Sequence, residues 1–177
     1  MKTAEQPVSI GRRAGNRPAL IAGAAVLASA AAAAGVAGLP AVHAHAPDLA
    51  LLAAAPPQVK VHLAAALVAL GIGAALLIGV KGSRLHRTLG WSWVAAMAVT
   101  AISSLLIKSA FAPGHFGPIH LLSGWTLIAL PMGIYAARRH NVARHRRTMT
   151  ALFVGGLIVA GAFTFLPGRL MWALFFR

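Results

Sequence analysis

Five long apolar stretches, almost free of charged residues, constrain the fold of this chain more than any other feature. They cover residues 19–39, 61–80, 91–107, 119–137 and 149–166. Each approaches or exceeds the ~18 residues that a helix needs to cross about 30 Å of hydrocarbon at about 1.5 Å of rise per residue. The mean hydropathy of +0.77 is far from that of a soluble domain. The sequence therefore predicts an all-α integral membrane protein with five transmembrane helices.

The basic residues are divided unevenly between the two sides that these segments define. Twelve of the 16 lysines and arginines lie before the first segment or after the second and fourth, and the other four lie on the opposite side. Because cytoplasmic loops are enriched in Lys and Arg, we expect a cytoplasmic-membrane protein with its amino terminus inside and its carboxyl terminus outside. The formal net charge of +14 then reflects membrane topology, and no nucleic-acid partner is expected.

Several kinds of chemistry lack their residues in this chain. Cysteine is absent, which excludes disulfides, thiolate metal sites, iron–sulfur clusters and covalently attached haem. Glu5 and Asp48 are the only acids, and both lie outside the apolar segments. Paired-carboxylate catalysis, a carboxylate two-metal centre and an intramembrane Asp/Glu proton relay therefore lack their residues. No hydrolase or transferase site is recognisable, and a redox-active chain would be an electron-transfer membrane cytochrome.

The order of the segments predicts an amino-terminal anchor followed by a four-helix membrane domain. Residues 1–18 form a basic cytoplasmic terminus, and residues 19–39 form the anchor helix, with a cleaved signal sequence as the alternative. A loop rich in Ala, Pro and His follows at residues 40–58, and the four-helix domain covers residues 59–169. Residues 170–177 are too few to cross a bilayer and are expected to lie at the outer interface.

Four histidines lie at matching depths in alternate segments. His62 and His120 each lie about one turn inside the outer end of a segment, and His86 and His145 lie in or near the first turn of the other two, at the inner face. Neutral imidazole is the commonest metal ligand, and six-coordinate haem iron needs one ligand on each side of the ring. The pattern predicts two bis-histidine sites for haem b. If only one site is filled, His62 with His120 is the expected pair.

Basic side chains near both layers could contact haem propionates or lipid headgroups. They are Lys108 and Arg169 near the outer pair, and Arg84, Arg87, Arg144 and Arg146 near the inner pair. The positive-inside rule would place the inner ones there in any case. The histidines also have ordinary explanations, as solvated or headgroup residues at the inner face and as groups that hydrogen-bond between helices at the outer one.

Two further patterns are less specific. His43 and His45 in the outer loop, with His115 before the fourth segment, form a low-specificity pattern for copper or zinc. Glycines inside the segments, such as Gly155 and Gly156, favour close helix packing and would also leave room for a flat ring.

Four short motifs resemble those of a family of bacterial predicted membrane proteins, domain of unknown function 2306. The resemblance covers roughly the final two thirds of the chain, from His62 to Met171, and it implies a membrane protein without implying an activity. The motifs are His86-Arg87-x-x-Gly90, Gly117-x-Ile119-His120-Leu121-Leu122-Ser123, His145-Arg146-Arg147-x-Met149 and Phe165-Leu166-Pro167-Gly168-Arg169.

The placement of the histidines also resembles that in the transmembrane di-haem cytochromes b, which pass electrons from ascorbate to acceptors. In that family the first and third helices of a four-helix core share one haem, and the second and fourth share the other. Counted from the second segment, His62/His120 and His86/His145 reproduce this pairing. The chain departs from the family in lacking a sixth helix and the substrate-contacting motifs, and its inner histidines lie at the edge of the membrane.

These observations leave three functional hypotheses. The first is a small haem b protein that carries electrons between the membrane faces, to a quinone or to another redox partner. The second is a non-enzymatic scaffold or accessory subunit whose histidines are structural. The third is a small transporter, which would have to form a homo-oligomer because so few helices cannot build inverted repeats.

Overall fold

The computed structural model describes residues 43–107 and 117–176, and every regular element in that part of the chain is a helix. The predicted anchor at residues 19–39 lies outside the described residues, as do Lys108 and His115. We number the helices in chain order. They are α1 (Leu49–Ala54), α2 (Pro57–Ile78), α3 (Arg84–Leu106), α4 (Pro118–Arg138), α5 (Val142–Phe163) and α6 (Leu170–Phe175).

Helices α2 to α5 are the four helices of the described chain that are long and apolar enough to cross a membrane. Many of their exposed side chains are large and apolar, including Ile78 at 87% and Leu121 at 76% exposed. A surface of this kind suits contact with lipid. The predicted all-α membrane architecture is therefore confirmed for these four helices.

Helices α3 and α5 begin about two turns earlier than the apolar segments indicate. Helix α3 starts at Arg84 rather than at residue 91, because the Ser83 hydroxyl caps it by accepting a 3.0 Å hydrogen bond from the His86 amide. Helix α5 starts at Val142 rather than at residue 149, and the Asn141 side chain caps it in the same way. The first turns of both helices are polar, which hydropathy alone does not detect.

The four long helices form a closed bundle. Each packs against the next, and α5 also packs against α2, which completes the ring. Small residues allow the close approaches: a Cβ added to Gly73 in α2 would lie 2.5 Å from Phe153 Cδ2 and 2.7 Å from Trp93 Nε1. The buried core of the bundle consists of Ala69, Trp93, Met97, Ala129, Leu130, Leu152, Phe153 and Leu157.

Helix α5 is not uniform along its length. It is α-helical at both ends and π-helical from Leu152 to Val159, a stretch that contains Gly155 and Gly156. π-Helical turns are rare and often lie at functional sites. In α4, by contrast, the helix continues through Pro131.

The short helices α1 and α6 pack against each other outside the bundle. Helix α1 lies within the region predicted to be a loop, and Asp48 caps it by accepting a 3.1 Å hydrogen bond from the Ala50 amide. The Asp48 amide donates to the Leu174 carbonyl at 3.0 Å, and Ala44 forms an isolated bridge with Phe176. The predicted terminal tail is therefore tied to the segment that precedes α2.

Candidate functional site

The four predicted histidines divide between the two ends of the bundle, because consecutive long helices run in opposite directions. His62, near the start of α2, and His120, at the start of α4, lie at one end, which we call the His62 end. His86 and His145, in the first turns of α3 and α5, lie at the other, the His86 end. The depth expected from counting residues agrees with this placement.

The His62 end contains buried hydroxyl groups in the membrane-spanning helices. Thr100 donates to the Ala96 carbonyl at 2.8 Å, and Ser123 donates to the Ile119 carbonyl at 2.9 Å. Because both hydroxyl hydrogens are donated within their own helices, these side chains can only accept further hydrogen bonds from the bundle interior. Among the described residues, the buried hydroxyl side chains in this half of the bundle, each at most 8% exposed, are Thr100, Ser103, Ser104, Ser123 and Thr126.

His62 is held by the neighbouring helix through its Nδ1 atom. Nδ1 lies 2.9 Å from the Thr100 carbonyl oxygen and 3.3 Å from Ser103 Oγ. A carbonyl oxygen only accepts, so Nδ1 carries a hydrogen and donates it, and in the neutral ring Nε2 then has the lone pair. This is the arrangement in which a metal-binding histidine donates its other ring N–H to a carbonyl.

His120 has the opposite arrangement. It is 7% exposed, and its Nδ1 accepts a 3.1 Å hydrogen bond from the Gly117 amide, which caps the start of α4. Because Nδ1 accepts, the hydrogen of the neutral ring is on Nε2. For His120 to bind a metal through Nε2, that hydrogen would have to leave Nε2 and the bond from Gly117 would be lost.

His86 and His145 lie at the same end of the bundle, in the first turns of two different helices. Nδ1 of His145 lies 3.0 Å from the Gly133 carbonyl oxygen in α4. His145 therefore has the same arrangement as His62, with Nδ1 donating and Nε2 keeping its lone pair.

The basic residues predicted to contact propionates or headgroups are found at both ends. Arg84, Arg87 and Arg146 are exposed at the His86 end. Arg169 is partly buried at the start of α6, where its amide donates to the Leu166 carbonyl at 3.1 Å. Lys108 lies outside the described residues, so its predicted role stays a prediction.

The structure gives little support to the predicted copper or zinc pattern of His43, His45 and His115. Nδ1 of His45 lies 2.6 Å from the carbonyl oxygen of Ala46, and its Nε2 is buried with no hydrogen-bond partner in the described part of the chain. His43 is exposed, and His115 is outside the described range. Within residues 43–107 and 117–176, no three His, Asp or Glu side chains are placed to hold a metal ion together.

Two features of the site did not follow from the sequence reasoning. The hydroxyl groups at the His62 end are one, although the spacing of Thr100, Ser103 and Ser104 on one helical face was a usable signal. The other is Trp93, whose indole Nε1 is buried in the core with no hydrogen-bond partner among the described residues. No sequence pattern marks that atom as unpartnered.

Apolar antiparallel helices with buried histidine and hydroxyl groups at one end, and histidines among arginines at the other, define a small polytopic membrane protein. The chain belongs to the family described as Predicted membrane protein (DUF2306), whose model matches residues 59–176. This match confirms the family resemblance drawn from the motifs. No curated protein matches the chain. No solved structure matches it either, and the likeness to di-haem cytochromes b stays a prediction.

Proposed function

We propose that this protein binds haem b within its helix bundle and carries electrons in the membrane. The observation that supports the proposal best is shared by His62 and His145. Each donates its Nδ1 hydrogen to the backbone carbonyl of a neighbouring helix, at 2.9 and 3.0 Å, which leaves the lone pair of the neutral ring on Nε2. A histidine that binds haem iron through Nε2 needs that lone pair, and the second hydrogen bond fixes the orientation of its ring.

The pair at the His86 end fits a bis-histidine site best. His86 and His145 lie in the first turns of α3 and α5, which are not consecutive along the chain, and His145 already has the hydrogen bond that orients a ligand ring. Arg84, Arg87 and Arg146 lie within a few residues of these histidines and could pair with propionates. When bound there, haem b supplies reversible one-electron chemistry at iron.

The pair at the His62 end fits in part. His62 has the required hydrogen-bonding pattern, while His120 must give up the bond from the Gly117 amide before its Nε2 can bind iron. Our order of preference between the two sites is therefore the reverse of the one expected from the sequence. A membrane quinone or another redox protein is proposed as the electron partner.

The test is a dithionite-reduced-minus-oxidised absorption spectrum of the detergent-purified protein, expressed with a haem supply and quantified as pyridine haemochrome. We expect a haem b spectrum with up to two haems per chain. His145→Ala should remove the haem at the His86 end, and His62→Ala should remove any haem at the other end. His140→Ala is the matched control, because His140 is exposed in the turn between α4 and α5.

Two results would overturn the haem proposal. One is a well-folded preparation that stays colourless after haem supplementation. The other is a haem content that survives the combined His62→Ala and His145→Ala substitutions. Either result would favour the second candidate function, a scaffold or accessory subunit. One observation already supports that alternative: the Thr100, Ser123 and Thr126 hydroxyls are satisfied by their own helices, so these groups need no bound cofactor.

A further inference from the structure

Two grooves on the outside of the bundle meet at one arginine. The first, of about 380 Å³, runs between α4 and α5 and is lined by Trp125, Arg144, Arg147, Gly155 and Gly156 among others. The second, of about 580 Å³, runs along α4 and is lined by Pro131, Met132 and Tyr135, and again by Arg144. Both grooves extend from the His86 end towards the middle of the bundle.

The first groove is widened by the missing side chain of Gly155. A Cβ added to Gly155 would meet nothing within 4 Å, so the space beside this residue is open. Gly155 and Gly156 belong to the π-helical stretch of α5, and Trp125, which is 58% exposed, forms part of the opposite wall. The groove is therefore apolar along its length and charged at one end, where Arg144 and Arg147 lie.

The two arginines place two positive charges at one end of the first groove. Both are exposed, and they lie one turn apart on α5. Asp48, the one acidic residue within the described ranges, lies at the start of α1 next to α6. Guanidinium groups bind phosphate in a bidentate manner, and juxtamembrane arginines attract anionic lipids.

We propose that the two grooves together bind one anionic diacyl phospholipid from the surrounding bilayer. Arg144 and Arg147 hold its phosphate, and one acyl chain lies in each groove. From Arg147 to Gly156 the helix rises about 13 Å, which is close to half of the roughly 30 Å hydrocarbon thickness. The first groove thus has about the length of one leaflet. This inference does not depend on haem binding, since it uses neither pair of histidines.

The test uses Trp125 as a reporter. Detergent-solubilised protein is titrated with phosphatidylglycerol brominated on its acyl chains, and separately with brominated phosphatidylcholine, which has no net charge. The contribution of Trp125 is the difference in quenching between the natural protein and Trp125→Phe. We expect saturable quenching of Trp125 by the anionic lipid, at concentrations at least about fivefold lower than for the neutral lipid, since each nearby arginine contributes about that factor.

Matched pairs of substitutions distinguish lipid binding in the groove from general attraction of anionic lipid to the basic surface. Arg144→Gln and Arg147→Gln should each weaken phosphatidylglycerol binding about fivefold, whereas Arg138→Gln, which removes the same charge outside both grooves, should not. Gly155→Leu should fill the first groove and abolish the Trp125 signal. Gly71→Leu is its control, because Gly71 is exposed on α2 and also has open space around it.

Three results would overturn the proposal. The first is equal quenching by the two lipids, which indicates ordinary annular lipid. The second is an equal loss in Arg138→Gln and Arg144→Gln, which indicates attraction to the whole basic surface. The third is a cross-linked dimer in which neither lipid quenches Trp125. This result would mean that a second copy of the chain covers the grooves.

Discussion

Gly73→Ala tests whether the bundle depends on close contact between α2 and its neighbours. The added methyl group would lie 2.5 and 2.6 Å from two ring carbons of Phe153, and 2.7 Å from the indole nitrogen of Trp93. Favourable separations between such atoms are about 3.5–4.0 Å. The clash therefore amounts to about 1 Å against two rigid aromatic rings in the buried core.

The expected cost follows from what must move. Phe153 and Trp93 are 8% and 3% exposed, so neither ring can turn away without displacing other core residues. Overpacking of this kind usually costs about 1–3 kcal/mol. Gly71→Ala is the matched control in the same helix: its Cβ meets nothing within 4 Å, and replacing a helical glycine should be neutral or stabilising by up to about 1 kcal/mol.

The free energy of unfolding is measured by titrating protein in mixed micelles with dodecyl sulfate, followed by circular dichroism. Gly73→Ala should lower it by about 1–3 kcal/mol, and Phe153→Leu in the same chain should restore part of that loss by removing the nearest ring atoms. If Gly73→Ala and Gly71→Ala have equal stability, the close packing of α2 against Trp93 and Phe153 is not as described.

Three further substitutions test local features in the same unfolding assay. Gly133→Ala should cost less than Gly73→Ala, since the added methyl group meets the end of the flexible Met149 side chain; an equal or larger cost would contradict this. His140→Gly should raise the free energy of unfolding by about 1 kcal/mol, because His140 has a φ of 55° in the turn after α4; a loss of stability would show that its side chain matters. Ser83→Ala should lower it by about 1 kcal/mol through loss of the cap on the His86 amide, and an unchanged value would mean that water replaces the hydroxyl.

The long helices were predictable because a bilayer imposes their length. The last four of the five segments found by hydropathy correspond to α2 through α5, and counting residues placed the four histidines near the starts of these helices. The starts of α3 and α5 were not predictable by that signal, since Ser83 and Asn141 cap polar first turns. The π-helical stretch from Leu152 to Val159 was not predicted from the sequence either.

The histidine positions could be predicted from the sequence, but their hydrogen bonds could not. His62 binds a carbonyl of α3, and His145 binds a carbonyl of α4, so each depends on how two helices are placed against each other. His120 instead caps its own helix through Gly117, three residues earlier. The sequence Gly117-Pro118-Ile119-His120 gave no indication of this cap.

His62 and His120 carry the ring hydrogen on different nitrogens, and this difference can be used to distinguish a haem site from a structural role. Near these histidines, the hydroxyls of Thr100 and Ser123 donate within their own helices. Haem iron at this end would require His120 to lose its Nε2 hydrogen, whereas a structural histidine would keep it. Nitrogen-15 spectra of labelled protein should show hydrogen on Nδ1 of His62 and on Nε2 of His120 without haem, and a change at His120 when haem is added. Hydrogen on the same nitrogen in both residues without haem would refute the assignment, and an unchanged His120 after haem is bound would restrict the metal to the His86 end.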